Sequence, residues 1–184
     1  MKRICANVRS LTEAIDLLRS ASVIVFKCQG PHLGNVGGSL SLISFRVVEP
    51  ESPITHLIDI VKFTDVELLP LLNIIQSPSP TKVVFDGRQD SSEFYHRYHV
   101  SIDGVLDLQL ADVYSRSRRG EGLQDQLLRL SPYLNDRELS VQGGCYSMVQ
   151  KLCTLDECCV EHGIVESARE GEKTAATNLK KHRH

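Results

Sequence analysis

The sequence predicts an α/β domain followed by a helical C-terminal appendage. Three observations carry that expectation. SVIVFKCQG, residues 22–30, is apolar enough for a buried central strand. Ser10 with Glu13, and Thr64 with Glu67, form two S/T-x-x-E capping boxes, each placed before an apolar run of helical period. After Tyr114 the strand-like alternation stops, and the chain turns basic, then helical, then charged and small.

The elements follow in order. Ile4 to Val8 reads as a short first strand, and Leu11, Ala14, Ile15, Leu17 and Leu18 give a helix up to about Ser20. The 22–30 strand comes next, then the glycine-rich loop GPHLGNVGGS. Leu40 to Val48 alternates as a second long strand, Glu49 to Pro53 is a turn, and Thr55 to Ile60 is a third strand. Asp65 to Ile75 is an apolar helix containing Pro70, stopped by SPSP at 77–80. Lys82 to Asp86 is a short strand and Ser91 to Tyr98 a helix. Val105 to Leu108 is a strand that runs into a helix near Leu110 to Ser115.

SRSRRGEG, 115–122, reads as a basic loop and Leu123 to Leu130 as a short helix. Val149, Leu152, Cys153, Cys159 and Val160 suggest a helix within Cys145 to His162. The expected organisation is a domain over 1–122, a helical extension packed on it over 123–165, and a disordered basic tail over 166–184.

Composition sets outer bounds. The chain has 184 residues, 41% hydrophobic and 24% charged, which suits one globular domain of ordinary kind. A net charge of −2 gives no global attraction to nucleic acid, so such binding needs a local basic patch. No apolar run reaches the ~18 residues of a membrane span. The start, MKRICANVRS, lacks the apolar core of a signal peptide. The expected location is therefore intracellular, cytoplasmic or nuclear, with the six cysteines as reduced thiols and no membrane partner.

Three stretches, VIVFKCQGPHLGNVGGSLSLISF, HLIDIVKF and KVVFDGRQDSSEFYHRYHVSIDGVLDLQLAD, together resemble the RNase D-like branch of the DEDD 3′–5′ exonucleases, and most nearly its Egalitarian-type domains. The resemblance spans roughly residues 4–116 and implies a ribonuclease H-like fold, a mixed β-sheet flanked by helices. It also implies a chemistry. Family members place four carboxylates around two divalent metals, which activate water and stabilise in-line displacement at a phosphodiester. Two of those acids form a D-x-E pair on the first strand, one pleat apart on the same face. The third opens the helix of the second motif, and the fourth lies in a later Y-x-x-x-D.

Aligned on that pattern, D-x-E falls on Lys27-Cys28-Gln29, and the third acid is Asp90. No Y-x-x-x-D follows: Tyr114 leads to Arg118, Tyr146 to Gln150, and Tyr133 to Asp136 one position early. One carboxylate beside one ammonium sums to about zero charge, and an ammonium has no lone pair for a metal. The expectation is a pseudoenzyme with degenerate positions Lys27, Gln29 and Asp90. It has no catalytic residue, cofactor or metal, and Asp90 is the one candidate ligand if a metal binds at all. A lysine on a central strand needs a partner, and Asp90 or Asp86 is expected to supply it.

The expected role is an RNA- or protein-binding module, and inactive relatives imply scaffolding, some as homodimers. The alternative is a Mg²⁺- or Mn²⁺-dependent 3′–5′ exonuclease of residual activity, with Asp86, Asp107 or Asp112 as substitute ligands beside Asp90; a truncated form without the third motif is a further reading. Lys82, Arg88, Arg116, Arg118 and Arg119 are the expected basic rim for single-stranded RNA or DNA. Aromatic residues at 5% advertise no base-stacking platform.

Other clusters read more plainly. Cys145, Cys153, Cys158, Cys159 and His162 match no paired zinc-knuckle spacing, and core or incidental thiols are the simpler reading. His96 and His99 suit a solvated helix end. GPHLGNVGG lacks the Lys-Ser/Thr of a P-loop.

Overall fold

The computed structural model describes residues 1–48, 54–135, 137–138 and 143–165. The expected turn at 49–53, Asp136 and the expected tail at 166–184 lie outside the described residues. The chain divides into two compact units, Met1–Ala111 and the residues from Asp112 onward. That division falls inside a helix.

The first unit is built on six strands: β1 (Lys2–Cys5), β2 (Val23–Gln29), β3 (Leu42–Val47), β4 (Thr55–Asp59), β5 (Thr81–Val84) and β6 (Val105–Asp107). They form one mixed sheet in the order β1-β4-β3-β2-β5-β6. β2, β3 and β4 are an antiparallel meander, while β5 pairs parallel with β2, β6 parallel with β5, and β1 parallel with β4. β2 is thus central. It buries Ile24, Phe26 and Cys28 on one face, and its other face carries Val25, Lys27 and Gln29.

Three helices complete this unit: α1 (Val8–Ser20), α2 (Asp65–Gln76) and α3 (Arg88–Tyr98). α1 buries Leu11, Ala14, Ile15 and Leu18, its 3.6-period stripe. It starts earlier than the Ser10–Glu13 box suggests. Asn7 is the cap: its side chain accepts from Ser10 N at 3.0 Å, and Ser10 Oγ accepts from Asn7 N at 3.3 Å. Glu13 is drawn away by Arg3 and Arg9. The strand expected over Ile4 to Val8 shifts back to Lys2–Cys5 as a result. α2 carries the Thr64–Glu67 box as read from sequence. Its Leu68, Leu71, Leu72, Ile74 and Ile75 are buried, while Val66 and Leu69 stay open to solvent.

α4 (Leu108–Arg118) leads from the first unit into the second, which also holds α5 (Leu123–Leu130) and α6 (Leu155–Glu161). Two expectations are corrected here. Ser115–Arg118 is the last turn of α4 and not a loop. Cys145 to His162 is not one helix: Gly143–Tyr146 is a 3₁₀ turn, and α6 begins only at Leu155, where Thr154 and Glu157 form a capping box. No helix among the described residues is long and apolar enough to cross a membrane.

Candidate functional site

Sheet register and one helix start build the site. β2 and β5 run parallel with Val25 opposite Val83, so the carboxyl ends of both strands point the same way. The chain leaves β5 through Asp86, which takes a left-handed φ of 52°. Asp107, at the end of neighbouring β6, holds that turn. Its Oδ1 accepts from Asp86 N at 3.2 Å and from Gln109 N at 2.9 Å, and its Oδ2 accepts from Gly87 N at 2.9 Å. α3 therefore starts at a fixed place, and its first turn sets Asp90 against β2.

There the ammonium of Lys27 lies 3.3 Å from Asp90 Oδ2, so of the two expected partners, Asp90 and Asp86, it is Asp90 that pairs. Asp90 has no solvent exposure, while the Lys27 side chain is 44% exposed. Asp90 Oδ1 has no hydrogen-bond partner. Burial pushes the Asp90 carboxyl above its ordinary range, Lys27 draws it back, and nearby Asp86 opposes Lys27. Burial also raises the Cys28 thiol far above its usual value, and Asp90 adds to that. Gln29 is exposed at the end of β2.

The carboxylates weighed as substitute ligands have other occupations. Asp86 grips Arg88 through two hydrogen bonds, 2.6 and 2.9 Å. Asp107 is spent on the backbone turn. Asp112 belongs to the second unit, where it pairs with Arg116 and His162. Among the described residues, no group of three His, Cys, Asp or Glu donors includes Asp90. The donor set at Lys27 and Asp90 does not fit a pair of divalent ions.

The expected basic rim loses two members. Lys82 is completely buried: in β5 it alternates inward with Val84, and its ammonium donates to the Ser77 carbonyl. Arg116 is 2% exposed and bonded to Asp112. Arg88 is committed to Asp86, and Arg119 to Glu121 and Glu161. Arg118 is exposed.

Glu93 is a residue that sequence reasoning missed. It is buried one turn beyond Asp90, where its Oε1 accepts from Leu40 N at 3.0 Å and its Oε2 from Gly34 N at 3.1 Å. Ser92 Oγ donates to the Gly34 carbonyl at 2.9 Å. Gly34 has φ 73°, and a Cβ there would sit 2.7 Å from the Gln89 carbonyl oxygen. The glycine-rich loop is thereby clasped to α3, as a turn between strands. It walls a cavity of about 400 Å³ with Glu93, His96 and Arg97.

No family model and no curated protein sequence matches the chain. Solved structures do. RNase D of Trypanosoma brucei in complex with RNA U12 is 25% identical, over 59% of this chain and 37% of its own, with a TM-score of 0.52. Escherichia coli RNase D is 19% identical, over 86% and 40%, with a TM-score of 0.55. The EXD2 exonuclease domain is 19% identical, over 96% and 86%, with a TM-score of 0.53. This chain has the DEDD 3′–5′ exonuclease fold. It spans about two fifths of the length of those two RNase D chains.

Within the DEDD fold, the two alternate positions near the end of the central strand carry Lys27 and Gln29, and the first turn of α3 keeps Asp90. The position sought for the fourth acid is not filled by a Y-x-x-x-D in this sequence, and Asp136 lies outside the described residues.

Proposed function

We propose that this chain is a 3′–5′ exonuclease-like domain without hydrolytic activity, which binds nucleic acid, RNA in the first place, or a protein partner. The Lys27–Asp90 ion pair carries the reading. An ammonium stands where a metal ion would have to stand. It satisfies the one surviving acid with a single positive charge, needs no further carboxylates, and cannot ligate. Two divalent ions would bring four positive charges to a place with about zero net charge, at a Coulomb cost that Asp86 and Asp107, the neighbouring carboxylates among the described residues, are too engaged to offset.

Lys27 is half exposed, so its ammonium can contact a phosphate while Asp90 holds its position. The T. brucei RNase D structure, a complex with RNA U12, supports RNA as the first ligand to test. The experiment incubates the purified chain with 5′-labelled single-stranded RNA and Mg²⁺ or Mn²⁺. Retention of the strand without shortening, weakening steeply with salt, is the expected result. Metal-dependent loss of 3′ nucleotides would establish the residual-exonuclease reading instead. Neither binding nor cleavage would leave a protein scaffold.

A further inference from the structure

The second unit gathers donors that the exonuclease reading does not use. Asp112 of α4 is buried, with its Oδ1 3.0 Å from Nε2 of His162. Cys158 lies four residues before His162, on the same face at the end of α6. One donor atom each from Asp112, Cys158 and His162 all lie within 4.8 Å of one another. We infer that Asp112, Cys158 and His162 form a zinc site, with solvent in the fourth position.

The donor types select the metal. Thiolate, imidazole and carboxylate together suit Zn²⁺ and are foreign to Mg²⁺ and Ca²⁺. Tetrahedral zinc with ordinary bond lengths places its ligand atoms roughly 3.3–3.7 Å apart, so only small side-chain shifts would admit the ion. One carboxylate and one thiolate offset its two charges, while Arg116 sits on the far oxygen of Asp112, away from the oxygen that faces His162. Asp112 is already oriented for one-oxygen ligation. Its Oδ2 is held by Arg116, which is fixed in turn by the Lys151 carbonyl at 2.7 Å, leaving Oδ1 toward His162.

A second group, Asp112, Cys153 and Glu161, also converges within the same limit. It is an arginine's site rather than a metal's. Arg116 Nη2 donates to Asp112 Oδ2 and, at 2.8 Å, to Cys153 Sγ, while its Nε lies 3.9 Å from Glu161 Oε1. A cation there would face a buried guanidinium. The five-member cysteine–histidine set considered from sequence is thus narrowed to Cys158 and His162, with Asp112 supplied by a distant helix.

Cobalt titration of the reduced, chelator-treated full chain tests this. One equivalent of Co²⁺ is expected to give near-ultraviolet thiolate-to-cobalt absorption, abolished by one equivalent of Zn²⁺. Cys158→Ser should remove that absorption, His162→Ala should weaken Co²⁺ binding by at least about tenfold, and Cys145→Ser should leave both unchanged. No thiolate–cobalt absorption in the wild-type chain would overturn the assignment. So would absorption that survives Cys158→Ser or follows Cys153→Ser instead.

Discussion

Lys27 Nζ lies 3.3 Å from Oδ2 of Asp90, a carboxylate with no exposure to water and one oxygen left without a partner. The pair is asymmetric, since the cation reaches solvent and the anion does not. Removing either partner therefore has different consequences. Lys27→Met strands a buried carboxylate and should cost ~1–2 kcal/mol at neutral pH. That is less than the several kcal/mol of a fully buried pair, because Lys27 is partly solvated and Asp90 can take up a proton. Asp90→Asn removes the buried charge and leaves an ammonium that water can hydrate, so it should be neutral or stabilising. Urea unfolding of the two variants measures both.

The same pair has a pH signature. The folded-state Asp90 carboxyl is raised, chiefly by burial. The native state therefore binds the proton more tightly than the unfolded chain does. Its contribution favours folding below the ordinary carboxylate range and is lost as pH rises through the folded value. The gain from Asp90→Asn should accordingly be larger at pH 7 than at pH 4, and thermal melts at the two pH values decide it.

His56 acts in the opposite sense. It is buried in β4, stacked on Phe45 with ring centroids 4.9 Å apart, and burial, then Arg3, lowers its affinity for a proton. The neutral ring belongs to the folded state. Stability is intact above the ordinary value of 6.5 and falls as pH drops below it toward the folded value. The slope is at most about 1.4 kcal/mol per pH unit. In His56→Phe that slope should flatten below pH 6.5, as thermal melts across that range measure.

Glu93 joins α3 to the glycine-rich loop through the Gly34 and Leu40 amides. Glu93→Ala should expose both amides to hydrogen exchange and destabilise the protein by ~3 kcal/mol or more, since two bonds to a charged group are lost at roughly 1.5–3 kcal/mol each. Exchange at Gly34 and Leu40, compared with the amides of β3, separates loosening of the loop from global unfolding.

Thiol reactivity should rank by burial. Cys145 is exposed, whereas Cys5 and Cys28 are buried and held in the thiol form by desolvation. A disulfide reagent should modify Cys145 rapidly and reach Cys5 and Cys28 only on unfolding, as followed by mass spectrometry of the digested protein.

Where local pattern decided the structure, the sequence could be read. The alternation of β2 placed Lys27 and Gln29 on one face, and the second motif placed Asp90 at the start of a helix, so the ion pair was foreseeable. Competing local choices were harder. Asn7-x-x-Ser10 and Ser10-x-x-Glu13 both suit a helix start, and only tertiary pairing of Glu13 with Arg3 shows which is used. By charge alone, Lys82 and Arg116 resemble rim cations. Lys82 shares parity with buried Val84, and Arg116 stands four residues after Asp112, and either signal would have turned it inward. The approach of Asp112 to Cys158 and His162 joins two segments distant in sequence, which no spacing rule reaches.

On the reading proposed above, the Lys27 ammonium takes the place of metal ions at Asp90. Crystals soaked in Mn²⁺ and measured for anomalous scattering test it most directly. The expected result is Lys27 Nζ on Asp90 Oδ2 with no manganese peak beside that carboxylate. A manganese ion on Asp90 with Lys27 swung away would contradict it.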